Sequence, residues 1–554
     1  MDDKKYLKIF DSSVWLIILT FILAYTASLY FASLPLDSVS EGDFGRDLYN
    51  FYLVSQGQFP YIDFNWIYGP LVPLVYGLIF KIFGVSALIA VTAWYINFFA
   101  CVYLTYYNVK SFSNRLFGSI AGVLFIVYYA YIIQTFNHLA GALSILLALL
   151  FIRLYLEKDK TYFLYLGAFA CFMIAIIKLN MGLAFSAGFF FILFVEHYIN
   201  KKSFKLPLQA FLIFLFSTIL FYSILIIPSP IDQLSKSFPY SSSSLSSASG
   251  SLLESLFTTD ASALPFLAKS HPILTSIFFI ITLNFWYVFW VISCFIMAFI
   301  LYKKLSFTSE VTYLLVLGLT GLLCAHEFIM VGSHYSLRFW VLPITIISVF
   351  YILEVFIKTW NDKKFYKPVF ISFLILLISV STFKFYINSF YKPNNQLYYP
   401  SKRLNISFSS PGWFYTMFKT LEYIDKNTKP GEMIFTIPYN TFYNFASNRE
   451  FPTRITEFLL ISNVTENEQR QIIEEIEKNK VRLIIYSNKI GQNKFGVGKF
   501  GETHCKILNK YILNNYALDT WYSTKEELYN YAPIYFFKRK TPFNRDSSTQ
   551  NEDK

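Results

Sequence analysis

Apolar runs of about 20 residues recur along this chain, and a run of that length crosses a bilayer as a helix, which pairs its own backbone N–H and C=O groups without water. Eleven spans are expected, near residues 12–34, 86–107, 116–134, 138–155, 162–178, 181–198, 207–227, 272–301, 311–331, 338–357 and 368–388. Composition agrees: of 554 residues, 15% are charged and 55% hydrophobic, against roughly 25% charged in a soluble domain. The predicted fold class is a polytopic α-helical membrane protein of about 11 spans. No small-residue cleavage site follows the first run, so that run is expected to stay as a span rather than leave as a signal peptide.

Loop charge orients the spans. With the N-terminus in the cytoplasm, every inner loop is basic: Lys110 and Arg115; Lys158 and Lys160; Lys201, Lys202 and Lys205; Lys303 and Lys304; Lys358, Lys363, Lys364 and Lys367. The outer loops hold few cations, chiefly Arg46, Lys81, Lys178, Lys236, Lys269 and Arg338. The net charge of +12 is thereby assigned to loops facing anionic lipid, and no nucleic-acid partner is expected. Residues 68–84 are apolar enough to cross, but a crossing there would invert every later loop. Pro70 and Pro73 suit a first helical turn, so this stretch is expected as a helix lying in the outer interface. A second interfacial helix is expected over 43–56, ended near Gly57, so that the first outer loop covers 35–85. Another outer loop, 228–271, contains a Ser-rich tract at 240–250.

After residue 390 the composition becomes that of a soluble domain, outside the cytoplasm by parity. A helix over 413–427, a strand over 433–438, a helix over 466–480 and strands over 481–486 and 533–537 predict an extracytoplasmic α/β domain, 391–554, after a transmembrane domain, 1–390. The five cysteines are scattered and show neither a disulfide framework nor zinc-ligand spacing.

The acids that could carry chemistry gather in the first outer loop, in Glu41-Gly42-Asp43-Phe44-Gly45-Arg46-Asp47 and at Asp63. Carboxylates beside a bilayer are costly to desolvate, which marks them as functional candidates. On a helix Asp43, Arg46 and Asp47 share one face. Asp43 could instead be the N-cap of that helix, with Asp47 in its first turn. Lys178 lies at an outer helix end, where a lysine can also simply reach the headgroups. His138 falls at an outer tip between two spans, where it could meet a sugar or just make a turn. His326-Glu327 with His334 and Arg338 lies near another outer helix end. Position 330 is Met330, so the zinc-protease pattern is absent. A polar cluster there is the better expectation, and a divalent cation is left open. Tyr49, Tyr61, Trp66 and Tyr68 could form a sugar platform but do not stand out from the aromatic background.

The first loop, Glu41-Gly42-Asp43 then Pro60-Tyr61-Ile62-Asp63 and an apolar segment from Gly69-Pro70 to Phe83-Gly84, resembles the GT-C membrane glycosyltransferases. The protein O-mannosyltransferases and the transferases that put aminoarabinose on lipid A are the nearest in pattern. Lys178-Leu179-Asn180-Met181-Gly182, and Phe435-Thr436-Ile437-Pro438-Tyr439 followed by Asn448-Arg449, are also similar. The resemblance implies a polyprenyl-phosphate sugar donor, an acceptor hydroxyl on a glycan, lipid or protein, and transfer on the outer face with inversion. It implies Asp43 as catalytic base and Arg46 as the contact to the donor phosphate. Glu41, Asp47, Asp63, His138, His326, Glu327, His334 and Arg338 are supporting candidates. The aminoarabinose transferases also use a lysine whose place here is close to Gly69, and no lysine is present there. Lys178 could supply that second cation. A bacterial plasma membrane is the expected location. The rival reading is a transporter or flippase of lipid-linked sugars, which would show repeats and ionisable residues in mid-span.

Overall fold

The computed structural model describes residues 38–129, 136–227, 308–325, 340–359, 397–399, 401–405, 407–408, 411–459, 464–487, 498–523 and 533–540, with isolated positions 19, 20, 22 and 462. The spans expected at 272–301 and 368–388, nearly all of 12–34, the loop 228–271, and His326, Glu327, His334 and Arg338 lie outside the described residues.

The N-terminal part is a stack of helices: α1 (Ser38–Ser55), α2 (Leu71–Phe83), α3 (Ala87–Phe112), α4 (Arg115–Tyr129), α5 (Phe136–Lys158), α6 (Thr161–Ile177), α7 (Leu179–Ile199), α8 (Lys205–Ile226), α9 (Ser309–Cys324) and α10 (Leu342–Thr359). Four of them, α3, α5, α7 and α8, are long and apolar enough to cross a membrane, and α2, α4, α6, α9 and α10 are shorter apolar helices. Local chemistry sets several boundaries. Ser86 accepts a hydrogen bond from the Leu88 N–H at 3.2 Å and caps α3, and Gly57, at φ +90°, closes the turn after α1. Helix α5 packs on α3 and α6, α4 on α3, α7 on α9, and α8 on α6.

The first-loop helices differ from expectation in how they are covered. Helix α1 starts at Ser38, so Asp43 stands in its second turn and is not its N-cap. It does not lie open in an interface: α2, α5 and a C-terminal helix cover it, and Phe44, Leu48 and Phe51 are fully buried. Phe51 stacks on Tyr76 of α2 at 4.7 Å, and Phe136 of α5 meets Phe51 at 5.0 Å and Tyr76 at 4.8 Å. Such ring contacts contribute about 0.5–1.5 kcal/mol each beyond burial. Helix α2 leaves Val75, Leu78, Ile82 and Phe83 exposed, an apolar face of the kind lipid would cover.

The C-terminal part holds a two-stranded pair, β1 (Leu397–Tyr398) with β2 (Ser407–Phe408), then α11 (Pro411–Asn427), β3 (Phe435–Ile437), α12 (Phe442–Ser447), α13 (Glu466–Lys478), β4 (Leu483–Ser487), α14 (Lys506–Asn515), β5 (Tyr516–Tyr522) and β6 (Ile534–Arg539). The main sheet runs β3-β4-β6-β5, with β3 parallel to β4 and the other pairs antiparallel. Strand β3, at one edge of this sheet, is nevertheless buried along its whole length. Thr465 and Glu468 form a capping box that starts α13, worth about 1 kcal/mol.

Candidate functional site

Asp43, Arg46 and Asp47 lie on one face of α1, at the separations that bring helical residues together. The Arg46 guanidinium is the centre. Its Nε and Nη2 donate to Asp47 Oδ1 at 3.0 and 2.9 Å, and its Nη1 donates to the Tyr439 hydroxyl at 2.7 Å. Asp43 Oδ1 stands 3.3 Å from Nη1, and Glu457 Oε1 stands 3.6 Å from Nε. The rings of Trp66, Tyr68 and Tyr439 surround the same guanidinium, with centroids 5.4, 5.1 and 5.8 Å from Cζ. Arg46 and Asp47 are buried, whereas about a third of the Asp43 side chain, 34%, stays exposed. Asp43 is the most exposed acid of this cluster.

Burial sets the electrostatics. It pushes Asp47 up to about 6 against the pull of Arg46, and pushes Glu457 up to about 7 against the same pull. Burial also raises the Tyr439 phenol well above its ordinary range, so it stays protonated and donates. Its hydroxyl gives that proton to Asp43 Oδ1 at 2.5 Å while accepting from Arg46.

Two glycines let Tyr439 arrive. A Cβ on Gly42 would lie 2.3 Å from Tyr439 Cδ1, and one on Gly45 would lie 2.4 Å from Phe442 Cβ and 2.6 Å from its Cα. Only a bare backbone lets residues 439–442 lie flat on α1.

No family model matches the chain, and no curated protein matches it by sequence. By structure it is similar to ArnT from Cupriavidus metallidurans bound to undecaprenyl phosphate, at 8% identity and a TM-score of 0.51, covering 95% of this chain and 98% of that chain. The apo state of the same protein matches at 9% identity over the same shares, with a TM-score of 0.50. An oligosaccharyltransferase from Archaeoglobus fulgidus, in complex with Zn and sulfate, covers 92% of this chain and 72% of that chain at 11% identity and a TM-score of 0.47. That last score is too low to rest anything on.

The chain shares the fold of these ArnT structures over nearly its whole length.

In this fold the position near Gly69, where the resemblance leads one to look for a lysine, is pressed against the break between α6 and α7. The Gly69 N–H donates to Ile177 O at 2.9 Å, and a Cβ there would lie 2.2 Å from Ile176 O. Lys178 occupies that break in an extended conformation (φ −154°, ψ 106°), and its Nζ lies 5.3 Å from the Tyr68 centroid. Arg46 and Lys178 therefore share one tyrosine ring, so the chain brings a cation to the Gly69 neighbourhood from a different element.

The remaining candidates separate. Asp63 is exposed and accepts from the Phe59 N–H at 2.7 Å, which closes the 59–63 turn rather than joining the cluster. Glu41 lies on α1, half a turn before Asp43. His138 lies in the first turn of α5, not in a connecting turn, and its Nδ1 accepts from Trp340 Nε1 at 2.7 Å. Tyr61 donates to Tyr68 O, and Tyr49 accepts from the Phe451 N–H at 2.7 Å, so these two phenols hold the fold. Among the described residues no group of three His, Cys, Asp or Glu is arranged for a metal. Within the acid cluster, the Arg46 guanidinium fills the space between the carboxylates.

Sequence reasoning missed Tyr439 and Glu457 as site residues. Tyr439 ends the Phe435–Tyr439 similarity, a usable signal. Glu457 lies in an otherwise ordinary stretch, Ile455-Thr456-Glu457-Phe458, and nothing local marks it.

Proposed function

We propose that this protein is a membrane glycosyltransferase that moves a sugar from a polyprenyl-phosphate donor to an acceptor hydroxyl at the extracytoplasmic face, with inversion. The observation that carries the reading is Asp43. Tyr439 and Arg46 hold one of its oxygens, and it is the exposed acid of an otherwise buried cluster. Residues 1–390 act as the catalytic transmembrane domain and 391–554 as an extracytoplasmic α/β domain docked on it. The undecaprenyl phosphate bound to the structurally similar ArnT supports a lipid-phosphate leaving group.

Asp43 takes the proton from the acceptor hydroxyl as its oxygen attacks the anomeric carbon. The bond from that carbon to the phosphate oxygen breaks, and its electron pair leaves with the polyprenyl phosphate. Base catalysis of this kind contributes about 10²–10⁴-fold. Arg46 has its donors engaged by Asp47 and Tyr439, so the role first expected of it on the donor phosphate passes in this reading to Lys178. Arg46 instead holds Asp43 in place and keeps positive potential beside the leaving group.

The test incubates purified protein with a panel of polyprenyl-phosphate sugars and follows release of polyprenyl phosphate. Asp43→Asn is expected to lower turnover by about 10²–10⁴-fold, and Lys178→Met to raise the donor KM about tenfold through loss of a charged phosphate contact. Unimpaired transfer by Asp43→Asn would overturn the reading.

A further inference from the structure

The hydrogen bond from Tyr439 to Asp43 joins residues 396 positions apart, and at 2.5 Å it is a short contact to a carboxylate. The phenol makes two contacts at once: it donates to Asp43 Oδ1 and accepts from Arg46 Nη1 at 2.7 Å. A methyl-sized obstacle on Gly42 would displace the ring, whose Cδ1 and Cε1 lie 2.3 and 2.4 Å from where that Cβ would be. The loop carrying Tyr439 is pinned at its other end, where the Phe458 N–H donates to Pro438 O at 2.9 Å and so sets Glu457 beside Arg46. Tyr439 is thus an oriented proton donor to the exposed acid, delivered by the C-terminal part of the chain.

We propose that Tyr439 is a positioning residue for the Asp43 base, so that the docked C-terminal segment completes the working geometry of the first-loop site. This rests on Asp43 being the base. The phenol fixes the rotamer of the carboxylate and engages one oxygen, which directs the other to the acceptor. The groups facing Asp43 are Arg46 and Asp47 from α1, Tyr68 from the first loop, and Tyr439 and Glu457 from the C-terminal part.

The experiment measures kcat and donor KM for polyprenyl phosphate release by the full-length protein, for wild type, Tyr439→Phe, Gly42→Ala and Asp43→Asn. Tyr439→Phe removes one oxygen and keeps the ring against Gly42. Gly42→Ala keeps the oxygen and moves the ring. Both are expected to lower kcat about tenfold or more, the scale of one hydrogen bond to a charged group. Both should leave the donor KM within about twofold, since uniform donor binding is untouched. If Asp43→Asn is inactive while Tyr439→Phe keeps the wild-type kcat, the positioning role is overturned and the glycosyltransferase reading stands. A fall in thermal stability alone, with kcat unchanged, overturns it equally. Full activity in Asp43→Asn removes the base itself, and this inference with it.

Discussion

Glu457 is buried beside Arg46, and burial raises its carboxyl from 4.5 to about 7. The folded protein therefore holds a proton that the unfolded chain releases between those values. This stabilises the folded state fully below about 4.5, and the contribution is lost as pH rises through about 7, the reverse of a salt-bridged carboxylate. Asp47, raised from 3.8 to about 6 by the same cause, acts with the same sign. The segment around residue 457 should accordingly be held more tightly at pH 5 than at pH 8, by an amount on the order of 1–3 kcal/mol. Hydrogen exchange of residues 451–458 at the two pH values measures it. Glu457→Gln, which keeps a neutral group, should flatten the difference. An unchanged pH response in that variant would assign the effect elsewhere.

At the scale of elements, the joint between α1 and α12 decides whether a site exists. Gly42 and Gly45, three apart on α1, make a bare strip on which Tyr439 and Phe442 rest. The joint is reinforced along its length. The Ala87 N–H donates to Arg403 O at 2.7 Å, the Arg403 guanidinium stacks 4.2 Å from the Tyr52 centroid, and Arg454 donates to Tyr61 O. Gly45→Ala puts a methyl where the Phe442 backbone already lies, which neither helix can yield cheaply. Overpacking of this kind costs about 1–3 kcal/mol. The expected outcome is earlier proteolysis between the helical part and α12, with activity falling in parallel. Wild-type protease resistance in Gly45→Ala would show that the joint adapts.

At the scale of the whole molecule, four helices of the described residues are long and apolar enough to cross a membrane, and the sidedness is our proposal from loop charge. Glu502, 63% exposed in the C-terminal part, and Lys201, between α7 and α8, should lie on opposite sides. A cysteine at 502, in a background without native cysteines, should react with an impermeant maleimide on intact cells. One at 201 should react only after permeabilisation. The opposite pattern would place the site in the cytoplasm and exclude an extracytoplasmic acceptor.

The hydrophobic pattern was enough to read the helical, membrane-embedded class of the chain, because helix length and apolar run length are fixed by the same bilayer thickness. It also placed Asp43, Arg46 and Asp47 on one face, since a 3.6-residue period is local. Local pattern further marked the strands within 433–438, 481–486 and 533–537, where β3, β4 and β6 are found. Only the tertiary structure decided that α1 is covered on both faces, that Lys178 stands beside the Tyr68–Gly69 turn, and that Tyr439 and Glu457 complete the cluster. Those contacts join positions that no local period relates, as with the 396-residue separation of Asp43 and Tyr439. Periodicity states which face of an element is apolar and which polar. Which distant polar group meets it depends on how close two backbones can come, here on Gly42 and Gly45.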